Sequence, residues 1–329
     1  MQNKRILTVL LVAILTIFLS LTFFACNKTT GDSNGDPNPV ASKDLIDISN
    51  YLEYHFTSPK DYESNPSKYI HEKIDYPHGY YMAQIKDNED AVLAALTVAD
   101  YDKKYAEIEN RYHLGDEEAL PDYAGAYKEI AELYKKATLT VPATYKGIPV
   151  IGIGVCVPIY ELNLSSNTRM VECFSEPSLL SRIIVPNDNP YFRVEDNCLI
   201  AKTGDYISEY EKDMLILACN YTKVIPSSVT SIGATAFTFT LGSESIEIPS
   251  TVKEIELGAF YSTTFKSIVI YPETKLNDWS IFAINDILIM FKGTKSQWLN
   301  RVEGIHPVDC FATYYTVDCM DGTLFMNVE

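Results

Sequence analysis

Cysteine and histidine are the residue types here that most readily bind metals or act as nucleophiles, and the chain holds seven cysteines and five histidines. Only His71 and His78, on either side of Pro77, lie near one another, and no histidine pair has metal-ligand spacing. A metal site in that loop is one interpretation, and two unconnected histidines are the simpler one. No Cys-x-x-Cys, Gly-x-Ser-x-Gly, phosphate-loop or dinucleotide motif occurs, and no local motif supports a cysteine–histidine nucleophile pair. The sequence therefore predicts no catalytic, cofactor or metal site.

Six cysteines follow position 26, namely Cys156, Cys173, Cys198, Cys219, Cys310 and Cys319. Their wide spacing argues against a dense disulfide framework, and we favour small buried apolar residues for most of them. Cys310 and Cys319 are the best candidate disulfide pair, because both lie in an irregular C-terminal tail. Asp188, Glu195 and Asp196 cluster after a strand and could bind calcium, but their spacing matches no calcium-binding loop.

Cys26 has different surroundings, because it ends a long apolar segment. A short basic stretch, Asn3-Lys4-Arg5, precedes the almost wholly apolar Ile6 to Phe24, as in a signal peptide or a membrane anchor. The ending Phe23-Phe24-Ala25-Cys26 resembles the lipobox of bacterial lipoproteins, with phenylalanine at two positions where leucine and a small residue are usual. The resemblance implies cleavage before Cys26, its diacylation and anchoring to the membrane through lipid. An uncleaved anchor is the alternative, and both place the remaining chain outside the cytoplasm.

The next segment and the net charge narrow the class of partner. Asn27 to Ala41 is rich in Gly, Asn, Asp, Pro and Thr and cannot offset its ordering entropy by burial. We therefore assign residues 1–25 to a signal peptide and residues 26–42 to a flexible tether. The formal net charge of −17 at pH 7 favours a soluble, solvated surface. We predict no nucleic-acid partner, because nucleic-acid binding requires clustered Lys and Arg.

Residues 43–137 carry apolar side chains at helical spacing, which predicts a helical domain or a cap on the part that follows. A short helix is predicted from Asp44 to Phe56. Two longer series predict an antiparallel helical hairpin whose first helix is capped by Gly115. These series are Ala94, Val98, Tyr101, Tyr105, Ile108 and Tyr112, then Tyr123, Tyr127, Ile130, Tyr134 and Ala137. Periodic tyrosines are typical of a buried helix interface, and a tyrosine-rich binding surface is the alternative.

Residues 138–329 are organised around a repeated phrase. IPSSVTSIGATAF begins at Ile225, and IPSTVKEIELGAF begins 23 residues later at Ile248. This period predicts a solenoid of stacked coils joined by a parallel β-sheet, in which each coil buries its apolar side against its neighbours. Proline can start or end a strand, valine and isoleucine face inward, and Phe237 and Phe260 fill the centre. The residues that vary between copies remain free to bind a partner: Thr230, Ser231, Thr235, Lys253, Glu254 and Glu256.

The two phrases resemble the repeat of BspA-type leucine-rich-repeat proteins of bacterial surfaces. FKGTKSQW, from Phe291, and YYTVDCMDG, from Tyr314, resemble a terminal segment often seen in that family. The resemblance covers roughly residues 138–325, is weak between 155 and 220, and implies adhesion or binding to proteins or matrix, with no catalytic residues. We therefore expect an α+β chain, a helical region followed by a leucine-rich-repeat-type parallel β solenoid of about 23-residue coils.

The expected function is that of a non-enzymatic cell-surface lipoprotein that binds an extracellular protein or glycan through its repeats. One alternative is a lipoprotein that captures a solute or polysaccharide with the tyrosine-rich region at 43–137. Another is an enzyme with an unrecognised site in that same region.

Overall fold

A computed structural model of the chain describes residues 44–64, 75–85, 94, 96, 100–114, 123–173, 178–205, 208, 210–242, 244–276, 288–302 and 314–327. Several predictions lie outside these residues. They are the signal peptide at 1–25, the tether at 26–42, Cys26, His71, the capping role of Gly115 and one partner of the pair Cys310–Cys319.

The described part of the chain is rich in strands. They are β1 (Ile46–Asp47), β2 (Glu53–Thr57), β3 (Tyr80–Ile85), β4 (Ala137–Thr140), β5 (Thr144–Tyr145), β6 (Ile148–Val155), β7 (Glu161–Asn163), β8 (Met170–Cys173), β9 (Arg182–Ile184), β10 (Phe192–Glu195), β11 (Cys198–Ala201), β12 (Met214–Ala218), β13 (Ser231–Ile232), β14 (Ser245–Glu247), β15 (Glu254–Ile255), β16 (Ser267–Ile270), β17 (Lys275–Leu276), β18 (Leu288–Phe291), β19 (Tyr314–Cys319) and β20 (Gly322–Asn327). The helices are α1 (Pro59–Ser64), α2 (Tyr101–Tyr112), α3 (Tyr123–Ala131) and α4 (Lys295–Val302).

These strands form four sheets. Sheet 1 has the order β1-β4-β7-β9, and all its pairs are parallel. Sheet 2 has the order β2-β3-β6-β5, with β8 also paired to β6. Sheet 3 has the order β10-β11-β12-β13-β15-β17, and sheet 4 has the order β14-β16-β18-β19-β20. One apolar core joins the strands of sheets 1 and 2, and a second core lies between the repeats of sheets 3 and 4.

The repeated phrase folds as its composition predicts. Ile232 of β13 pairs with Ile255 of β15, which is the same position one repeat later, and both side chains are fully buried. Each Ile-Pro begins a turn, because the amide of Val229 donates to the carbonyl of Pro226 at 3.0 Å and Val252 repeats this bond to Pro249 at 2.9 Å. Pro249, which has no N–H to give to a sheet, lies just after β14, and Pro226 occupies the same turn position without a strand directly before it.

The phenylalanines that end the phrase lie at the centre of the second core. Phe237 and Phe260 are both 0 % exposed, and their rings stack with centroids 4.7 Å apart and planes 9° apart. Phe265 meets both rings edge-on, at 5.9 Å and 6.4 Å. The central role predicted for Phe237 and Phe260 is confirmed, since each ring covers the equivalent ring of the next repeat.

The short helix predicted from Asp44 to Phe56 is wrong. This segment contains β1, a 3-10 turn at Ser49–Tyr51, and β2. Strand β1 pairs with β4 in sheet 1, and β2 and β3 extend sheet 2 from β6, so this segment contributes to both sheets. Apolar residues spaced for a helix form strands here because β4 and β3 offer strand edges, and pairing with them outweighs local preference.

Two helices of the predicted hairpin are present as α2 and α3, but the second is shorter than predicted. It ends at Ala131, Tyr134 forms a β-bridge with Leu96, and Ala137 begins β4. The direction of the hairpin is antiparallel, since Tyr101 at the start of α2 contacts Tyr134 just beyond α3, while Tyr112 at the end of α2 contacts Glu129. Helix α2 ends before Gly115. His113 adopts the left-handed conformation at φ 55°, and its backbone N–H donates to the carbonyl of Glu109, which caps the helix. Buried Ile108, Tyr127 and Ile130 pack against Leu241 of the repeats, and together they form a third apolar core.

A second correction concerns residues 192–218, which lie within the stretch predicted to form a parallel β-sheet. The structure pairs β10 with β11, and β11 with β12, in antiparallel fashion. The first reversal takes two residues, Asp196 at φ 48° and Asn197 at φ 61°, which is the two-residue left-handed turn that asparagine and aspartate tolerate. Parallel pairing would require a far longer connection, so the turn fixes the direction of β11.

Candidate interaction surfaces

The residues that vary between the repeats lie along sheet 3, and the structure leaves few of them free. Ser231, Glu254 and Lys275 are in register on β13, β15 and β17. Glu254 and Lys275 form an ion pair at 2.5 Å, whereas Ser231 is only 5 % exposed. Thr230 and Lys253 are exposed, and their backbones pair at 2.8 Å. Among the predicted contact residues, Thr230 and Lys253 thus remain the most accessible.

The structure corrects the prediction that Ser231, Thr235 and Glu256 are free to bind a partner, because these residues mainly support the fold. The Ser231 hydroxyl is buried and makes no hydrogen bond to any residue the structure describes. Thr235 has φ 60° and Gly258, its equivalent in the next copy, has φ 65°, so this position is a left-handed turn. Glu256 accepts the Ala234 amide at 3.1 Å, and burial raises the pKa of its carboxyl.

Sheet 4 has an outer face that the sequence analysis did not identify. Because side chains alternate along a strand, Ile246, Ile268, Ile289 and Val317 point into the core and are 0–1 % exposed. The residues that follow each of them lie on the opposite side of the sheet and are in register across four strands: Glu247, Val269, Met290 and Asp318. Of these, Glu247 and Asp318 are exposed, Met290 is half-buried, and Val269 is only 7 % exposed. A parallel outer row consists of Ser245, Ser267, Leu288, Thr316 and Phe325. We call these two rows the outer face of sheet 4.

A sequence signal for this face does exist. The strand phrases SIE, SIV, LIM and TVD all place an inward aliphatic residue between two outward ones. Aligning the phrases on the inward residue gives the row Glu247, Val269, Met290 and Asp318. The register of β19, which follows β18 at an offset of 28 residues instead of 21 or 22, comes from the structure alone.

The tyrosines of the helical hairpin are largely engaged within it. Tyr127 is 1 % exposed and meets the Phe239 ring edge-on at 6.2 Å. The hydroxyls of Tyr101 and Tyr134 lie 2.8 Å apart, and the Tyr112 hydroxyl donates to Glu129 at 2.6 Å. Burial and hydrogen bonds within the hairpin therefore account for these tyrosines, in agreement with their helical periodicity.

A different set of aromatic residues lies on sheet 2 at the surface. Tyr54 stacks on Tyr145 at 3.9 Å, and Tyr81 meets Tyr145 edge-on at 5.1 Å. Phe56 lies 4.9 Å from the Tyr81 ring and is 43 % exposed. The Lys146 ammonium lies 5.0 Å from the centroid of Tyr145. This sheet 2 aromatic cluster combines exposed ring surface with a neighbouring cation, the composition of many ligand-contacting surfaces.

A buried arginine links separate parts of the chain near sheet 2. Arg169 is 3 % exposed, and its guanidinium binds both carboxylate oxygens of Asp205 and also reaches Asp75 at 3.3 Å. Ser208 donates to the same Asp205 carboxylate at 2.8 Å, and the Arg169 guanidinium lies 4.6 Å from the Tyr191 ring. Each charge has its partner, so the network holds a loop and does not offer a catalytic group.

Two of the three candidate calcium ligands, Glu195 and Asp196, have structural roles, whereas Asp188 is exposed. Asp196 forms the left-handed turn, and Glu195 pairs with Arg193 at 3.6 Å and accepts a hydrogen bond from Ser228. Burial raises the pKa of the Cys198 and Cys219 thiols, which makes them unreactive at neutral pH. Cys156, Cys173 and Cys319 are half-buried.

Glu172 is the acid whose chemistry burial changes most clearly. It lies on β8 opposite Gly154 of β6, and burial raises the pKa of its carboxyl from 4.5 to about 8.

Within the described ranges, no group of three or more His, Cys, Asp or Glu side chains is arranged to hold a metal ion. In the same part of the chain, no helix is long and apolar enough to cross a membrane.

Comparison with known proteins identifies the repeats. Residues 217–295 match the BspA type leucine-rich-repeat region in six copies, so this part of the chain has a leucine-rich-repeat fold of that type. No curated protein matches the chain. Two solved structures are similar. The first is a leucine-rich repeat protein from Eubacterium ventriosum ATCC 27560, at 16 % identity and TM-score 0.33 over 47 % of this chain and 49 % of that one. The second is a leucine rich cell surface protein from Faecalibacterium prausnitzii A2-165, at 18 % identity and TM-score 0.25 over 50 % of this chain and 62 % of that one. The chain thus spans about half the length of the first.

Proposed function

We propose that this chain is a non-enzymatic lipoprotein of the bacterial cell surface whose repeats form a solenoid that binds an extracellular protein or glycan. Residues 1–25 are its signal peptide, 26–42 its tether, 43–137 the first part of the folded region and 138–329 the repeats. Cys26 carries the lipid. The BspA-type repeats at 217–295 support the surface role, because stacked repeats present extended faces to partners.

The outer face of sheet 4 is the observation that carries this proposal. Phe325 is 84 % exposed there, while Glu247 and Asp318 are exposed on strands held rigid by a fully buried layer below. Exposed apolar side chains on a rigid sheet favour association with another molecule, because burying them releases water at little cost in conformational entropy.

Binding of the full-length chain in detergent to immobilised extracellular-matrix proteins and to a glycan array tests the proposal. We expect saturable binding to at least one protein or glycan, and loss of that binding when Phe325→Glu and Met290→Glu are combined. Asp188→Lys changes an exposed acid outside sheet 4 and serves as the matched control. The absence of saturable binding to any of these molecules would refute the proposed function.

A second candidate function, capture of a polysaccharide, is favoured by the sheet 2 aromatic cluster. Sugar rings stack on exposed aromatic faces, and Phe56 is the most exposed ring of the cluster. Deleting residues 43–137 would not test whether the cluster binds glycans, because the deletion would also remove β2 and β3 from sheet 2. The combination Phe56→Ala with Tyr145→Ala should instead abolish glycan binding, with Phe325→Ala as control. Unchanged glycan binding would eliminate this candidate.

A further inference from the structure

On the outer face of sheet 4, the chemistry of the side chains changes from one strand to the next. The central row of this face begins with Glu247, continues through Val269 and Met290, and ends with Asp318. Neighbouring strands lie about 4.8 Å apart, so three spacings place the two acidic residues about 14 Å apart. Two acidic residues therefore lie on either side of an apolar centre of fixed width, whose accessible surface comes mainly from half-buried Met290, since Val269 is only 7 % exposed.

The second row widens the apolar centre. Leu288 lies in register between Ser267 and Thr316, and Phe325 follows Thr316 on β20. Leu288 and Met290 are both half-buried and stand on the same strand two residues apart, so they point to the same side. Along β18 the apolar surface thus spans both rows, whereas polar side chains border it at Ser245 and Ser267.

The two acidic residues keep a charge that the described part of the chain does not neutralise. The Tyr271 hydroxyl donates a hydrogen bond to Glu247 at 2.6 Å, and the Thr323 hydroxyl donates one to Asp318 at 2.7 Å, and neither donor carries a positive charge. Elsewhere on the sheet, Glu244 is paired with Lys266 at 2.7 Å. Lys292 is exposed just beyond β18, but neither acidic residue forms an ion pair with a described cation.

We propose that this face binds an extended polypeptide segment of a protein partner, with two basic side chains that flank an apolar one. An extended chain rises about 3.4 Å per residue, so 14 Å corresponds to about four residues, and side chains at alternate positions share one face. The matching pattern is basic-x-apolar-x-basic, laid across the strands. The charge and the spacing of the acidic residues determine the partner's pattern.

This inference rests on the proposed function and specifies its partner class. Fluorescence anisotropy with the full-length chain in detergent tests it through three labelled peptides, Lys-Ser-Leu-Ser-Lys, its acidic form Glu-Ser-Leu-Ser-Glu, and the rearranged Lys-Lys-Ser-Leu-Ser. We expect the first to bind more tightly than the other two. Its affinity should fall as ionic strength rises, because exposed charges are screened.

Variants of the two acidic residues complete the test. Glu247→Gln and Asp318→Asn should each weaken binding of the first peptide about two- to fivefold, as expected for the loss of an exposed ion pair. Glu247→Lys combined with Asp318→Lys should weaken it at least tenfold. Lys292→Gln and the distant Asp188→Lys should not weaken it. Circular dichroism spectra that match those of the unmodified chain would show that these variants fold.

The outcomes separate this inference from the proposed function. Equal binding of the three peptides, no binding of any, or no effect of the double charge reversal would overturn the inference. If the chain nevertheless bound a matrix protein or glycan, the proposed function would stand without it. Preferential binding of Lys-Ser-Leu-Ser-Lys that is lost in the double variant would support it.

Discussion

Phe237 and Phe260 give the most direct test of how the repeats stack. Both rings are completely buried, lie face to face at 4.7 Å, and contact the Phe265 ring. Replacing either phenylalanine by alanine removes a whole ring from a core in which the neighbouring repeats are hydrogen-bonded to each other. The strands cannot close around the gap without breaking the pairing of β13 with β15.

The expected cost follows from the buried area and the cavity left behind. Phe→Ala substitutions in a closed core reduce the free energy of unfolding by about 3–5 kcal/mol, and the high value applies where the surroundings cannot collapse. A stacked aromatic pair adds about 0.5–1.5 kcal/mol of coupling. The double variant Phe237→Ala with Phe260→Ala should therefore lose less than the sum of the two single losses, by about that coupling energy.

Urea denaturation followed by circular dichroism and tryptophan fluorescence measures these losses. Phe325→Ala is the matched control, since it makes the same chemical change on a ring that is 84 % exposed and should cost less than about 0.5 kcal/mol. A loss below about 1 kcal/mol for Phe237→Ala or Phe260→Ala would contradict the stacked core. Coincident transitions in the two signals are required before the free energies are compared.

Three further predictions concern other parts of the chain. Asp205→Ala should reduce stability by about 3–5 kcal/mol in urea denaturation, because Arg169 would remain buried without the carboxylate that binds it. Glu172 is ionised in the unfolded chain above about pH 4.5 but protonated in the fold up to about pH 8, so stability should fall as pH rises between these values. Glu172→Gln should remove that fall and raise stability by a few kcal/mol at pH 8, measured by urea titrations at several pH values. Cys26→Ala should leave an unprocessed precursor without lipid, seen as a higher mass and altered detergent extraction.

Each of these has a control and a contradicting result. Asp188→Ala removes an exposed acid, and equal losses for Asp188→Ala and Asp205→Ala would contradict the buried network. For Glu172, the Glu247→Gln variant should keep the original pH dependence, and a Glu172→Gln curve that still falls between pH 4.5 and 8 would assign the proton to another group. Identical mass and extraction for Cys26→Ala and the unmodified chain would refute lipidation, with Cys219→Ala as the cysteine control.

The helical hairpin and the first strands show how differently local pattern and tertiary pairing contribute. Ile108, Tyr127 and Ile130 could be assigned to a buried helix face from spacing, since a helix forms its hydrogen bonds within its own segment. Ile46 to Thr57 could not be assigned correctly, because a strand needs a partner. Those partners lie elsewhere in the chain, in β4 for β1 and in β3 for β2.

The repeat at 225–260 by itself determined that Ile232, Phe237 and their equivalents one period later lie in the core. The reason is that identical residues at a fixed period must stack on each other in any repeating fold. The tertiary structure alone decided which outward residues become neighbours. Glu247 and Asp318 are 71 positions apart in the sequence, and only the register of four strands places them at the two ends of one apolar row. The core followed from the period, whereas the outer face required the register, because one irregular offset shifts every cross-strand neighbour.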